Sequence, residues 1–107
     1  MNILTFDIED WFHVLDNPKT SKVSNWDKFE SRIQIGMDHI FEILETKNLS
    51  ATFFVLGWIA NKYPHIVKKI TDNGFEVGSH THLHKLVYSQ NRDEFKNDVE
   101  KSIKTIE

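Results

Sequence analysis

The sequence predicts an α/β protein in which parallel strands alternate with helices in the order βαβαβα. Short apolar runs occur near residues 3–6, 51–57 and 75–78, and polar or charged residues follow each of them. The segments between and after these runs repeat apolar residues at three- and four-residue steps, which is the period of an amphipathic helix. Strands that alternate with helices in this way form a parallel sheet with helical crossovers.

The composition indicates one globular domain. The chain has 107 residues, of which 39% are hydrophobic, and this fits a single domain at most. It contains no cysteine, so disulfides, thiolate metal sites and cysteine nucleophiles are excluded. The net charge is −3 and the lysines are scattered among acidic residues, so we expect neither a nucleic-acid nor an anionic-membrane partner.

The two ends of the chain carry further expectations. The start lacks the basic segment and the long apolar run of a signal peptide or a membrane span, which predicts a cytoplasmic protein with no membrane span. The last residues, 102–107, lie in an amphipathic pattern without glycine, asparagine or proline to end a helix. We therefore expect residues 1–107 to be the N-terminal portion of a domain that continues beyond Glu107.

A cluster of acids ends the first predicted strand. Asp7, Glu9 and Asp10 follow the apolar run at 3–6. Because the C-terminal ends of parallel strands gather reactive groups at one edge of the sheet, these carboxylates are candidate site residues. His13, a little further on, is either a further site residue or a loop histidine, and we favour the loop histidine.

The longest predicted helix lies between the first two strands. A capping box formed by Ser24 and Asp27 is expected to begin it, and Asn48, which tolerates left-handed backbone, is expected to end it. Its buried side is predicted from a stripe of apolar residues, namely Phe29, Ile33, Met37, Ile40, Phe41 and Leu44.

Two later helices have clear end signals. Pro64 marks the first turn of one helix, and Gly74 terminates it. Asn91 is the predicted N-cap of the final helix, with Glu94 at the third position of a capping box. The apolar stripe of the final helix comprises Phe95, Val99, Ile106 and either Ile103 or Ser102.

A histidine cluster follows the third strand. Three of the six histidines are His80, His82 and His84. On a helical turn, His80 and His84 would share a face with Cβ atoms about 5–6 Å apart, whereas in an extended segment all three would share a face. The cluster therefore predicts a metal site, and both ligand choices stay open.

The predicted topology brings the acids and the histidines together. Right-handed crossovers place the C-terminal ends of the first and third strands at the same edge of the sheet. One carboxylate and two histidines, with a position left for water, form the ligand set of a catalytic divalent metal, and zinc suits this mixture best. A remaining carboxylate can then act as the base on the bound water.

Three motifs occur in a specific order, and they are Thr5–Asp7, Ala51–Gly57 and Gly74–His84. Together they resemble the polysaccharide deacetylases of carbohydrate esterase family 4, from residue 2 to the end of the chain. The His-Thr-x-x-His element at residues 80–84 is the most specific of them. The resemblance implies the first part of a distorted (β/α) barrel that removes acetyl groups from a polysaccharide or an N-acetylated sugar by metal-dependent hydrolysis.

The resemblance also implies roles for single residues. Asp7 matches the general base of the family, and His80 and His84 match its metal ligands. Thr81 would orient the loop by hydrogen bonding.

The second acid of the metal site is displaced in this sequence. The family usually has it directly after the base, where Ile8 stands here. We expect Asp10 to take its place as the metal ligand, with Glu9 as the alternative.

Two later motifs of the family, one with an arginine and one with the histidine that protonates the leaving amine, do not occur in these 107 residues. We therefore expect the full-length protein to be the enzyme and this chain alone to be inactive. The ligand set does not encode a sugar. A related metal-dependent amidase with a non-sugar substrate and a non-catalytic carbohydrate-binding or scaffold module are the alternatives.

Overall fold

The computed structural model describes residues 1–14 and 17–107. The predicted order βαβαβα is confirmed, and two consecutive helices form the second crossover. The strands are Thr5–Ile8 (β1), Thr52–Val55 (β2) and Glu76–Ser79 (β3), and the α-helices are Ile33–Lys47 (α1), Gly57–Lys62 (α2), Pro64–Asp72 (α3) and Arg92–Ile106 (α4). Short 3-10 helices occur at Trp11–His13, Val23–Lys28 and Val87–Ser89.

The three strands form one parallel sheet in the order β1-β2-β3. Ile8 lies opposite Val55, which in turn lies opposite Ser79. The residues that follow β1 and β3 are Glu9 and His80, so both leave the sheet at its C-terminal edge. This register brings the acidic cluster and the histidine cluster close together.

The two faces of the sheet have different environments. Side chains alternate along a strand, so one face carries Phe53 and Val55, which are fully buried under the helices. The core on this side includes Met37, Leu44, Ile59, Ile66 and Ile70. None of the described residues on the opposite face is buried. This face carries Thr5, Asp7, Thr52, Phe54, Glu76 and Gly78.

The first strand differs from its predicted position. It runs through Thr5–Ile8 and includes the first acid of the cluster, while Ile3 stays 80% exposed. Main-chain pairing extends the strand, because Ile8 accepts a hydrogen bond from the N–H of Leu56 at 3.1 Å. The acidic composition of residues 7–10 therefore does not end the strand.

The long helix begins later than predicted. Residues Val23–Lys28 form a 3-10 helix, and α1 starts at Ile33, so Ser24 is not its N-cap. The tertiary contacts explain the delay, because the hydroxyl of Ser31 and the N–H of Arg32 both donate to the Asp10 carboxylate. The predicted end is confirmed, since Asn48 is left-handed with φ 52°.

The remaining helix signals agree with the structure. Gly74 has φ +78° after α3, and Asn91 and Glu94 form the predicted capping box of α4. In the apolar stripe of α4, Ser102 is the fully buried residue and Ile103 is 43% exposed. Within residues 1–14 and 17–107, no helix is both long enough and apolar enough to span a membrane.

Candidate metal centre

Three potential metal ligands converge at the C-terminal edge of the sheet. An oxygen of Glu9 lies 3.8 Å from Nε2 of His80, and its other oxygen lies 3.4 Å from Nε2 of His84. One ligand atom from each residue lies within 4.8 Å of the other two. All three side chains are partly buried, so the cluster is shielded but still reachable from solvent.

The spacing and chemistry of this cluster fit a divalent metal ion. An ion held at about 2.0–2.2 Å in tetrahedral geometry places its ligand atoms about 3.4 Å apart. Oε2 of Glu9 and Nε2 of His80 have no accessible surface, and neither has a hydrogen-bond partner among the described residues. Buried polar atoms without partners are costly, and a shared cation would satisfy them.

Interactions within the cluster shift the pKa values of Glu9 and His80. The pKa of Glu9 is lowered chiefly by its interaction with His80; burial opposes this effect, and the charge of His84 adds to it. The pKa of His80 is raised chiefly by Glu9, again against burial, and then by the charges of Asp7 and Glu9. The site therefore favours a carboxylate beside positive charge, which is the balance that a cation also provides.

The histidine loop reaches this arrangement without forming a helix or a strand. Thr81 and His84 both have left-handed backbone, with φ 63° and 57°. The N–H of His84 donates to Oγ1 of Thr81 at 3.1 Å, and the N–H of Thr81 donates to Oγ of Ser79 at 3.2 Å. Thr81 therefore links two positions of the loop by a hydrogen bond.

His82 lies on the other side of the loop. The residue is 5% exposed, and its side chain packs against Gly57 and does not belong to the ligand cluster. Burial lowers its pKa, with a further contribution from Lys101 and an opposing one from Asp98. Of the two arrangements considered from the sequence, the structure therefore has His80 and His84 together and His82 apart.

Asp10 is engaged elsewhere. The residue is 5% exposed, and its carboxylate accepts hydrogen bonds from the N–H groups of Trp11 and Arg32, at 3.0 and 3.2 Å, and from the hydroxyl of Ser31. These donors use the oxygens that a metal would need. The structure thus does not bring Asp10, the acid that we preferred, to the histidines, and it places Glu9 there.

His13 is not the loop histidine that the sequence suggested. Its imidazole is fully buried, with ring centroids 4.5 Å from Trp26 and 5.1 Å from Trp58. Burial lowers its pKa to about 4, against the opposing charges of Asp10 and Glu9. Asp10 and His13 form a capping box, and this three-residue spacing is the sequence signal that sequence reasoning missed.

Asp7 lies on the open face of the sheet, one position before Ile8 in β1. It is exposed, and no residue in the described ranges forms a hydrogen bond or an ion pair with its carboxylate. A groove beside β1 is lined by Asp7, Glu9, Trp11 and Arg32, among others. Asp7 is therefore a free carboxylate close to the ligand cluster.

Comparison with known proteins identifies the family. The family model described as polysaccharide deacetylase matches residues 3–107. A peptidoglycan-N-acetylglucosamine deacetylase of Bacillus cereus is 41% identical over 63 residues, which cover 59% of this chain and 23% of that protein. The chain thus spans about a quarter of that relative.

Two solved structures show the same architecture. A peptidoglycan N-acetylglucosamine deacetylase, solved in complex with 4-naphthalen-1-yl-N-oxidanyl-benzamide, superimposes with a TM-score of 0.70 at 30% identity, covering 97% of this chain and 38% of the other. A deacetylase described as putative, from Mycobacterium smegmatis, has the same fold with a TM-score of 0.78 at 22% identity, covering 97% and 37%. The chain belongs to the polysaccharide deacetylase family.

Proposed function

We propose that this chain provides the metal ligands and the base of a metal-dependent deacetylase that removes N-acetyl groups from a polysaccharide. The observation that carries the proposal is the convergence of Glu9, His80 and His84 at the sheet edge next to the free carboxylate of Asp7. Carboxylate and imidazole side chains that converge, partly buried, from two different strand ends have no evident structural purpose, but they suit a hydrolytic metal centre.

Glu9, His80 and His84 would hold the ion, and zinc is the metal that best suits this ligand set. When bound, such an ion lowers the pKa of a coordinated water to about 7 and polarises the carbonyl of the substrate. Glu9, rather than Asp10, is the proposed third ligand, because its oxygens face the histidines and those of Asp10 face backbone donors.

Asp7 is the proposed general base. It lies on the open face of the sheet, and its charge contributes to the raised pKa of His80, which lies beside Glu9. A base must reach the proton that it removes and must be free to accept it. The exposed carboxylate of Asp7 meets the second requirement, whereas that of Asp10 does not.

Protonation of the leaving amine needs another group. All six histidines lie in the described ranges. Besides the two ligands, His13 and His82 are buried, and His39 and His65 are exposed on α1 and α3. Since none of these four adjoins Asp7 on the open face, we propose that the 107-residue chain alone does not complete turnover.

The proposed substrate class is a polymer that contains N-acetylglucosamine, and peptidoglycan is the first one to test. Two relatives carry this activity in their names, and one of them is 41% identical to this chain over 63 residues. Chitooligosaccharides present the same acetamide group without the peptide part of peptidoglycan. Comparing the two therefore separates recognition of the sugar from recognition of the polymer.

The test measures acetate release by the full-length protein that contains this sequence. Zinc-loaded protein should deacetylate at least one of the two substrates, and a chelator should stop the reaction until zinc is restored. Asp7→Asn should reduce the rate by about 100-fold or more while leaving zinc stoichiometry unchanged. Asp38→Asn, on the exposed side of α1, is the matched control and should keep the rate.

Each alternative has its own outcome. Hydrolysis that survives the chelator or Asp7→Asn would overturn the proposal. Binding of the oligosaccharide with no acetate release would indicate a carbohydrate-binding module, and zinc-dependent hydrolysis of only non-sugar amides would indicate a related amidase. Zinc-dependent acetate release by residues 1–107 alone would contradict the proposed need for another proton donor.

A further inference from the structure

His13 connects the turn after β1, residues 9–13, to the histidine loop, residues 80–84. It has no part in the proposed chemistry. The carbonyl oxygen of His13 lies 3.0 Å from Nδ1 of His84, a contact between residues 71 positions apart in the sequence. Because a carbonyl only accepts hydrogen bonds, Nδ1 of His84 must carry a proton in this contact.

This contact selects one form of the His84 ring. In a neutral imidazole with the proton on Nδ1, the lone pair is on Nε2. Nε2 of His84 is the atom that lies 3.4 Å from Glu9. The carbonyl of His13 therefore holds the ring in the tautomer and orientation that present a lone pair to the ligand cluster.

The side chain of His13 fixes the position of that carbonyl. Its Nδ1 accepts a hydrogen bond from the main-chain N–H of Asp10 at 2.7 Å, and the main-chain N–H of His13 donates to the carbonyl of Asp10 at 3.1 Å. The two residues thus close a short turn that starts directly after Glu9. The buried imidazole packs against Phe12, Trp26 and Trp58, so the turn is also held by aromatic contacts.

We propose that His13 is a positioning residue of the metal centre, whose imidazole fixes the turn after Glu9 and whose carbonyl oxygen sets the tautomer of His84. This inference rests on the proposed function, because it assigns His84 as a metal ligand. It goes beyond that function by joining two of the three ligands, Glu9 and His84, to one buried residue.

The first test is made on the metal-free wild-type protein. Nitrogen NMR of the His84 ring at about pH 8, well above the ordinary pKa of histidine, reports which nitrogen carries the proton. We expect protonated Nδ1 and unprotonated Nε2. A ring with the proton on Nε2 would overturn the proposal. Because no metal is present, this result is independent of whether the zinc assignment is correct.

Two variants of His13 separate its acceptor role from its packing role. His13→Leu removes the acceptor and keeps an apolar side chain, and we expect it to mix the His84 tautomers and weaken zinc binding by about 10- to 100-fold. His13→Asn places an oxygen near the position of Nδ1 and should restore one dominant tautomer and much of the affinity. His39→Leu, on the exposed side of α1, is the control and should change neither quantity.

The opposing outcomes are equally definite. Unchanged zinc affinity and an unchanged tautomer in His13→Leu would refute the positioning role. An equal loss in His13→Leu and His13→Asn would assign the effect to lost aromatic packing and would also refute it. If His84→Ala binds zinc as well as the wild type, the proposed function fails, and the tautomer measurement still decides what the His13 carbonyl does.

Discussion

A β-carbon on Gly57 would overlap Nδ1 of His82, and it would also come within 3.0 Å of the His82 α-carbon. The first residue of α2 and the middle of the histidine loop are therefore packed directly against each other. Two main-chain hydrogen bonds reinforce the contact, from Gly57 to the carbonyl of Thr81 at 2.8 Å and from Trp58 to the carbonyl of His82 at 3.0 Å. The histidine loop, residues 80–84, is thus packed against the start of α2.

Gly57→Ala should destabilise the protein by about 1–3 kcal/mol, because the added methyl group must displace His82. Urea unfolding of the metal-free chain measures the change in the free energy of unfolding. His82→Ala removes the ring that causes the overlap, so the cost of Gly57→Ala should be smaller in that background. Gly36→Ala, where a β-carbon meets no atom within 4 Å, is the control. Additive effects of Gly57→Ala and His82→Ala would contradict the packing argument.

Zinc stoichiometry should distinguish the ligands from their neighbours. Glu9→Gln, His80→Ala and His84→Ala should each lower the bound zinc well below roughly one ion per chain, because three protein ligands are the usual minimum for such a site. His82→Ala should retain the metal, since its ring lies outside the ligand cluster. Metal analysis after dialysis gives the result.

Asp10→Asn provides the matching test of the two acids. It should leave zinc bound, with a loss of stability from the weakened contacts to Ser31 and Arg32. If Asp10→Asn loses the metal while Glu9→Gln keeps it, then Asp10 is the ligand and the placement of Glu9 has another explanation.

Asp98 should stabilise the histidine loop from α4. Its carboxylate accepts the N–H groups of His82 at 2.8 Å and of Leu83 at 3.2 Å. Asp98→Ala leaves both donors without this partner and should cost about 1.5–3 kcal/mol, the usual range for hydrogen bonds to a charged group. Glu100→Ala, exposed on the same helix, should cost less than about 1 kcal/mol. Equal changes in the urea midpoint for the two variants would contradict this role.

The stability of the metal-free protein should fall as the pH is lowered from about 6.5 to 4. In the unfolded chain His13 takes up a proton near pH 6.5, while burial keeps its pKa at about 4 in the folded protein. The unfolded state therefore binds more protons in this range, and stability rises with pH. The contribution is about 3 kcal/mol at neutral pH, and it is lost at low pH.

The measurement compares urea unfolding of the wild type and His13→Leu across this pH range, with a chelator present. Titration of His80 and His82 contributes to both proteins, so the difference between the two curves isolates His13. We expect the free energy of unfolding to depend more steeply on pH in the wild type than in His13→Leu. The difference in slope should correspond to at most one additional proton bound on unfolding. Parallel curves would mean that the His13 ring does not stay neutral in the folded protein.

The sequence alone determined the architecture of this protein. Strands and helices follow local periodicity, and the signals at Gly74, Asn48 and Asn91 act through the conformations of single residues or of one helical turn. The motif order indicated the family, and the resemblance to that family, rather than the histidine spacing, singled out His80 and His84. These features need no knowledge of tertiary contacts, because the helix and strand signals depend on residues only a few positions apart and the motifs are read directly along the chain.

Only the tertiary structure decided which acid faces the histidines and where α1 begins. Asp10 and Glu9 are adjacent carboxylates, and the choice between them depends on Ser31 and Arg32, which lie 21 and 22 positions beyond Asp10. Those donors take the oxygens of Asp10 and delay α1, which leaves Glu9 to face the histidines. The role of His13 depends on a contact 71 residues away. Such competition among hydrogen-bond partners is settled by burial and distance in the folded chain, which local sequence patterns do not contain.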